Sequence, residues 1–568
     1  MAIIGQIVID NYRSIEHVEL TFPKNAPLIL VGENNAGKSN IISAVDVLLG
    51  ETHPKYRLVE QKDYYQRQPC EIEIAAHLME PIGDSFTSLT WRHNPENSDP
   101  NEFLAVDGYG RANKYIKAEV RDELICIMIS AERTLNYQLS YQTKYTMLSK
   151  LMHRFHQELQ KSAEIAEELK GKFAEIKETF DKIDAFKSFK DTLQSDFMNL
   201  VSCMSYKLEI DFEAYNPTNF FHALRVQAKE GSEPRDFSEL GTGEQQILAI
   251  SFAHAYAKAF RRGILLAIEE PEAHLHPLAQ RWLAKKIQDL CADGLQIIMS
   301  THSPAFINLL GLNGFSLVRK NNEKGTWTKQ LSRKEFADYC LAHNAAPDKT
   351  KESNILEFYA ANTTESILEG FFAKGIILVE GPTEALSIPE YLKTLGFDCE
   401  EKGIAVISVG GKGNLTRFWR LFSAYDLPVY VIFDNDADDD KKGSKRTELL
   451  TTLEISDVEA ILSEADLKVD NSFAIFDKDF ETALRNIFES EQYEALEKEA
   501  REFLGIEPDN KNDCKPLVGR YVAEKLSKRL DYSVAGWARL LKLKVAVEER
   551  MQCCINNCDQ SGVDDEPW

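Results

Sequence analysis

Nowhere does this sequence run apolar for the roughly 20 residues that a membrane-crossing helix needs, which excludes an integral helical membrane protein. The opening residues Met1-Ala2-Ile3-Ile4-Gly5-Gln6 lack a basic stretch and a cleavable apolar segment, so the expected location is the cytoplasm. Cysteine is sparse, ten scattered thiols in 568 residues, which excludes a disulfide scaffold. Cys553, Cys554 and Cys558 do cluster, but no fourth ligand lies nearby, and plain thiols are expected there rather than zinc. Positive charge is also short. With 66 Lys and Arg against 90 Asp and Glu, the net charge of −24 excludes a protein that coats nucleic acid nonspecifically. A local DNA site survives that exclusion, because cations bound to an acidic cluster reverse the field around it. Proline is missing between Pro100 and Pro217. Within that gap Leu151, Phe155, Leu159, Ile165, Leu169, Phe173, Ile176, Phe180, Ile183 and Phe186 recur mostly at three-to-four spacing among Lys, Glu, Gln and Ser. That pattern predicts amphipathic helices over about 145–205, either packed against the rest of the chain or protruding as a dimerisation arm.

What is present begins with a phosphate loop. Ile7–Tyr12 is a β-branched and aromatic run, and Leu28-Ile29-Leu30-Val31 reads as a buried parallel strand. The second strand feeds Gly32-Glu33-Asn34-Asn35-Ala36-Gly37-Lys38-Ser39, followed by an apolar helix through Ile41, Ile42, Val45 and Leu48. Backbone N–H groups of such a loop cradle phosphates at a helix N-terminus; Lys38 would reach the β- and γ-phosphates and Ser39 would hold Mg²⁺. Farther on, Ile264–Ile268 runs into Glu269-Glu270-Pro271-Glu272. There Glu269 would support Mg²⁺ and Glu270 would polarise the attacking water. Leu240-Gly241-Thr242-Gly243-Glu244-Gln245 resembles a degenerate ABC signature, and Ile297–His302 a strand ending in the switch histidine of that family. Asn11-Tyr12-Arg13-Ser14 and Glu269–Pro277 resemble the ABC ATPases related to SMC and RecF proteins. That resemblance implies an ATP-closed dimer with Arg13, Asn35, Gly37, Lys38, Ser39, Asn40, Gly241, Gly243, Glu269 and His302 around the nucleotide.

A second acidic centre follows a polar connector. Three apolar strands, Ile376–Val379, Ile404–Val409 and Val429–Phe433, mark another α/β unit. Glu380 follows the first, Gly410-Gly411-Lys412-Gly413 the second, and Asp434-Asn435-Asp436-Ala437-Asp438 the third. Active sites of open α/β sheets gather at the carboxyl ends of strands, and carboxylates are hard ligands suited to Mg²⁺ or Mn²⁺. Two such ions can activate water and stabilise a leaving oxygen in phosphodiester cleavage.

These residues look like a Toprim domain, and their order after the ATPase motifs resembles the OLD (overcoming lysogenisation defect) nucleases from Ile7 to about Leu526. The resemblance implies that Glu380, Glu384, Asp434 and Asp436 bind two metal ions, with Asp438 and Glu481 as further ligands. Glu481 belongs to Asp479-Phe480-Glu481, and the resemblance implies that Lys515, in Cys514-Lys515-Pro516-Leu517, would stabilise charge on the phosphate. Lys412, Lys441, Lys442, Lys445, Arg446, Lys525, Lys528, Arg529, Arg539, Lys542 and Lys544 offer a path for DNA.

The fold expected is α/β: an ABC-type ATPase over 1–345 with a helical insertion, a connector over 346–374, and a Toprim domain with a helical C-terminal part over 375–568. The expected function is ATP-controlled DNA cleavage or nicking in antiphage defence, by a homodimer or higher homo-oligomer. A helicase-like protein or a retron nucleic acid–protein complex would be its partner. The alternative is an SMC- or RecF-like clamp whose second domain only binds DNA. The acidic cluster separates the two, because a passive clamp has no need for it.

Overall fold

The computed structural model describes residues 4–129, 184–200, 206–212, 224–435, 444–458, 467–506, 514–529 and 534–555, with short breaks inside those ranges. Of the helical insertion expected over 145–205, the helix Asp184–Leu200 is described; the rest lies outside the described residues. So do Asp436, Asp438, Lys441, Lys442 and Cys558. The chain divides into two units, one of Met1–Ile307 with Asn313–Lys320 and Lys324–Thr328, the other of Asn308–Leu312, Asn321–Glu323 and Lys329–Trp568. Among the described residues no helix is long and apolar enough to cross a membrane.

The first unit is built on a twelve-stranded mixed sheet. Its parallel half holds Leu28–Val31 beside Gln296–Thr301, which lies beside Gly263–Glu269 and then Leu124–Ile129. Leu28, Leu30 and Val31 are fully buried, as are Leu265, Leu266, Ala267 and Ile268. Strands buried on both faces lack polar alternation, which is why these read as continuous apolar runs. Register sets Ser300 opposite Leu30 on one side and Glu269 on the other. Three strand ends therefore deliver the phosphate loop, His302 and the Glu269–Glu270 pair to one edge. The antiparallel half, Ile4–Tyr12, Ile15–Thr21, Ile72–Ile82, Phe86–His93 and Asn101–Asp107, encloses the helix Lys38–Leu49 with Ile7, Ile9, Ile74 and Trp91.

The second unit carries a five-stranded sheet in the order Ile404–Ser408, Gly375–Val379, Val429–Asp434, Phe473–Phe476, Lys468–Val469. The first four run parallel and the last is antiparallel. Its core joins Ile377, Val379, Tyr430 and Ile432 to Val522, Leu526, Val547 and Met551 of the C-terminal helices. The helix Pro382–Thr394 packs on Lys515–Leu526 through a close approach at Gly519. A Cβ there would sit 2.9 Å from both Ser387 Oγ and Thr383 Cγ2. Within 346–374, the short helices Ile355–Ala360 and Glu365–Leu368 bury Ile355, Leu356 and Ile367.

Candidate functional site

In the first unit the phosphate loop closes on its own lysine. Lys38 Nζ donates to the carbonyls of Gly32 at 2.9 Å and Glu33 at 2.8 Å, and the side chain is buried. Burial pulls the Lys38 ammonium down to about 8, opposed by the charges of Glu270, Glu272 and Glu33. Gly37 caps the following helix at φ 103°, a left-handed conformation that glycine alone adopts without strain. Ser39 and Asn35 are exposed at the loop.

The acidic element is organised by a residue whose role the motif reading left unassigned. Glu272 accepts from Thr301 Oγ1 at 2.9 Å and from the His302 backbone N–H, tying the Glu269–Glu272 turn to the neighbouring strand end. Burial raises the Glu272 carboxyl and those hydrogen bonds oppose it. Glu270, at φ 47°, brings Oε1 to 3.9 Å from His302 Nε2. His302 is lowered by burial and by the Lys38 charge, which favours the neutral ring. Lys38, Glu270 and His302 thus form one electrostatic group. Gly241 donates its N–H to Glu244 Oε2 at 2.9 Å, while a Cβ on Gly243 would meet Leu275 Cδ2 at 2.6 Å. Gly243 therefore has a packing reason beside any ligand role.

In the second unit Glu380 anchors the carboxyl edge. Its Oε1 accepts the Asp434 N–H at 2.8 Å, and its backbone carbonyl accepts from Gly411 at 2.8 Å. All three strand ends singled out by sequence are joined through this one residue. Glu384, in the first turn of the helix Pro382–Thr394, is buried and pushed up to about 7 by desolvation, with Glu380 and Glu481 adding repulsion. Glu481 is likewise raised by burial, and Lys515 Nζ lies 3.8 Å from its Oε1. Asp479 instead caps the helix Phe480–Ile487, accepting from Thr482 N and Thr482 Oγ1 at 2.8 Å each.

Two basic residues read as part of a DNA path are buried in this edge. Lys412 Nζ lies 3.4 Å from Glu380 Oε1, and Arg446 Nη1 donates to Asn435 Oδ1 at 2.6 Å. A DNA-path lysine must reach solvent, so neither serves as an exposed phosphate contact. Asn435 Nδ2 in turn lies 3.5 Å from Asp477 Oδ1, an acid at the end of Phe473–Phe476 that the reading missed. The signal was available: a four-residue apolar run ending in Asp477.

Among the described residues no three His, Cys, Asp or Glu side chains are grouped to hold an ion. The donor chemistry nonetheless suits a divalent cation. Glu384 is a buried carboxylate whose shift Glu380 and Glu481 increase, and hard oxygen ligands of this kind relieve that cost by sharing a cation.

Residues 371–436 match the family model for the Toprim domain of overcoming lysogenization defect-like proteins, and residues 2–119 and 112–307 match that of an AAA ATPase domain. The chain belongs to the AAA ATPase domain family and carries an OLD-like Toprim domain. The OLD nuclease of Thermus scotoductus is 24% identical, the match covering 76% of this chain and 81% of that one. The Old nuclease of Escherichia phage P2 is 22% identical over 76% of this chain and 77% of that one. A solved SMC head domain from Thermotoga maritima is 11% identical, the match covering 58% of this chain and 99% of that one, at a TM-score of 0.34. The chain joins an N-terminal ATPase domain built on a mixed α/β sheet to a C-terminal Toprim sheet and its helices.

Proposed function

We propose that this chain is a nuclease that cuts DNA phosphodiester bonds at the Toprim edge, with divalent metal and under control of ATP bound by the first unit. The observation that carries the reading is Glu380, whose carboxylate holds the Asp434 backbone while burial raises Glu384, with Glu380 and Glu481 adding to the shift. A purely structural surface has no use for that many acids converging on one sheet edge. The relatives named OLD nuclease and Old nuclease each match over 76% of this chain, a span that supports the reading.

The residues divide the work. Glu380, Glu384, Asp434 and Glu481, with Asp436 and Asp438, would hold Mg²⁺ or Mn²⁺, which supplies an activated water and a counter-charge for the leaving oxygen. Glu380 orients the end of the Asp434 strand through its hydrogen bond. Lys515, half-exposed beside Glu481, presents an ammonium to a phosphate that arrives from solvent. In the ATPase, Gly32 and Glu33 hold Lys38 for the phosphates, and Glu272 fixes the turn from which Glu270 faces His302.

The wider reading is a homodimeric cytoplasmic enzyme of antiphage defence that nicks or cuts DNA when a partner or invading nucleic acid releases it. The test is cleavage of fluorescently end-labelled duplex and single-stranded DNA with Mg²⁺ or Mn²⁺. Products that disappear with chelator and with Glu380→Ala support it; products that survive Glu380→Ala defeat it.

A further inference from the structure

The segment that leaves the phosphate-loop helix folds back toward its start. Turns at Pro54–Tyr56, Gln61–Asp63 and Tyr65–Arg67 are pinned to the sheet through Tyr64, whose hydroxyl lies 2.7 Å from His93 Nε2. His93 Nδ1 lies 2.8 Å from Asn101 Oδ1, and Asn101 Nδ2 donates to the Arg57 carbonyl at 2.8 Å. This chain of bonds secures the segment without Asp63.

Asp63 is buried, at 5% exposure, and both its carboxylate oxygens are engaged. Oδ1 accepts from Arg13 Nε at 3.0 Å, and Oδ2 accepts from the Glu60 N–H at 3.2 Å, completing a capping box. The Asp63 carbonyl also accepts the Arg13 backbone N–H at 2.8 Å, which supports Arg13 at φ 53°. The Arg13 guanidinium lies over the Tyr12 ring at 5.1 Å, with Nη1 3.5 Å from Asn40 Oδ1. Asn40 sits in the first turn of the phosphate-loop helix, two residues beyond Lys38. It donates to Ser14 Oγ at 2.7 Å; Ser14 Oγ lies 2.7 Å from Thr326 Oγ1, which donates to the Ala36 carbonyl of the loop.

We propose that Asp63 is a positioning residue for the nucleotide. It grips Arg13 by the Nε edge and so presents the terminal nitrogens of the guanidinium to the phosphates held by the loop. This rests on the reading of the first unit as ATP-binding. A guanidinium is a planar fork whose donors act together only when its plane is fixed. An ionised partner on Nε fixes that plane by a charge-assisted bond and leaves the fork for a second anion. Asn40 and Tyr12 limit the remaining rotation, so Asp63 transmits its position to the ligand through Arg13.

The test is a double-mutant cycle on ATP affinity of the full-length protein, measured by titration calorimetry with Asp63→Asn, Arg13→Gln and the pair. Asparagine keeps the acceptor for Glu60 while losing the charge. The expected result is an affinity loss of about tenfold for Asp63→Asn in the native background and none in the Arg13→Gln background. Equal losses in both backgrounds mean that Asp63 only secures the segment, and overturn the proposal. If Asp63→Asn does not fold, Arg13→Lys decides, because it keeps the charge, the segment and Asp63 but has no Nε fork. ATP affinity at the Arg13→Gln level supports the proposal, and affinity at the native level overturns it. Native protein that binds no ATP overturns the nucleotide reading itself, and the proposal with it.

Discussion

Glu384 makes the second unit sensitive to pH in a direction opposite to most acids. Its carboxyl, 7% exposed, is pushed from the ordinary 4.5 to about 7 by burial, with Glu380 and Glu481 adding to the shift. A raised acid retains its proton in the folded chain after the unfolded chain has lost it. Stability from this group is therefore highest below pH 4.5, falls between 4.5 and about 7, and levels off above. At about 1.4 kcal/mol per pH unit, the fall is roughly 3 kcal/mol at most. Glu384→Gln keeps the shape and removes the titration. Urea unfolding in chelator, followed at pH 4.5, 6 and 8, should show the variant gaining on the native protein as pH rises. Its advantage at pH 8 should reach roughly 3 kcal/mol. Divalent metal at pH 8 should then stabilise the native protein more than the variant, because a cation offsets the same charge. A stability difference that is flat, or that narrows with rising pH, would refute both the burial argument and the use of Glu384 as a ligand.

Lys38→Ala should abolish ATP binding, read by calorimetry, while leaving the unfolding transition of the second unit unmoved. Gly37→Ala should cost ATP affinity and about 2 kcal/mol or more of stability, since its Cβ would lie 2.2 Å from Thr326 Oγ1 at a φ of 103°. Thermal unfolding with and without ATP checks it. Asp479→Ala should lose a helix cap worth about 1 kcal/mol and keep Mn²⁺ affinity, whereas Glu481→Gln should weaken Mn²⁺ binding without that loss. Urea unfolding and Mn²⁺ titration separate the two. Glu272→Gln should slow ATP turnover at least tenfold with little change in ATP affinity, measured by phosphate release, because it holds the His302 strand end rather than the ligand.

The strands that carry chemistry were legible because they are buried on both faces. Leu28–Val31, Gly263–Glu269, Gly375–Val379 and Val429–Asp434 lie within a residue or two of the apolar runs that announced them. The antiparallel strands Phe86–His93 and Asn101–Asp107 were not read, because buried Ser88, Thr90, His93, Asn101 and Asp107 interrupt their alternation. Hydrogen bonds such as His93 to Asn101 satisfy those groups, and no local pattern reveals a partner eight residues away. The acids at strand ends were visible in the same way, whereas Glu272, Asp63 and Thr326 act through partners distant in sequence. Thr326 meets Ser14 across 312 residues, a distance that motif spacing does not encode. Lys412 and Arg446 show the converse limit: charge alone suggested a solvated path, and burial beside Glu380 and Asn435 gives them a place inside the site.

The central claim is that the Toprim edge cuts DNA. Its most direct test is supercoiled plasmid incubated with Mg²⁺ or Mn²⁺, with and without ATP, for the native protein and Asp434→Ala. The account predicts metal-dependent nicked or linear product from the native protein and none from the variant, with the ATP arm showing the direction of control. Equal cutting by both proteins would contradict it.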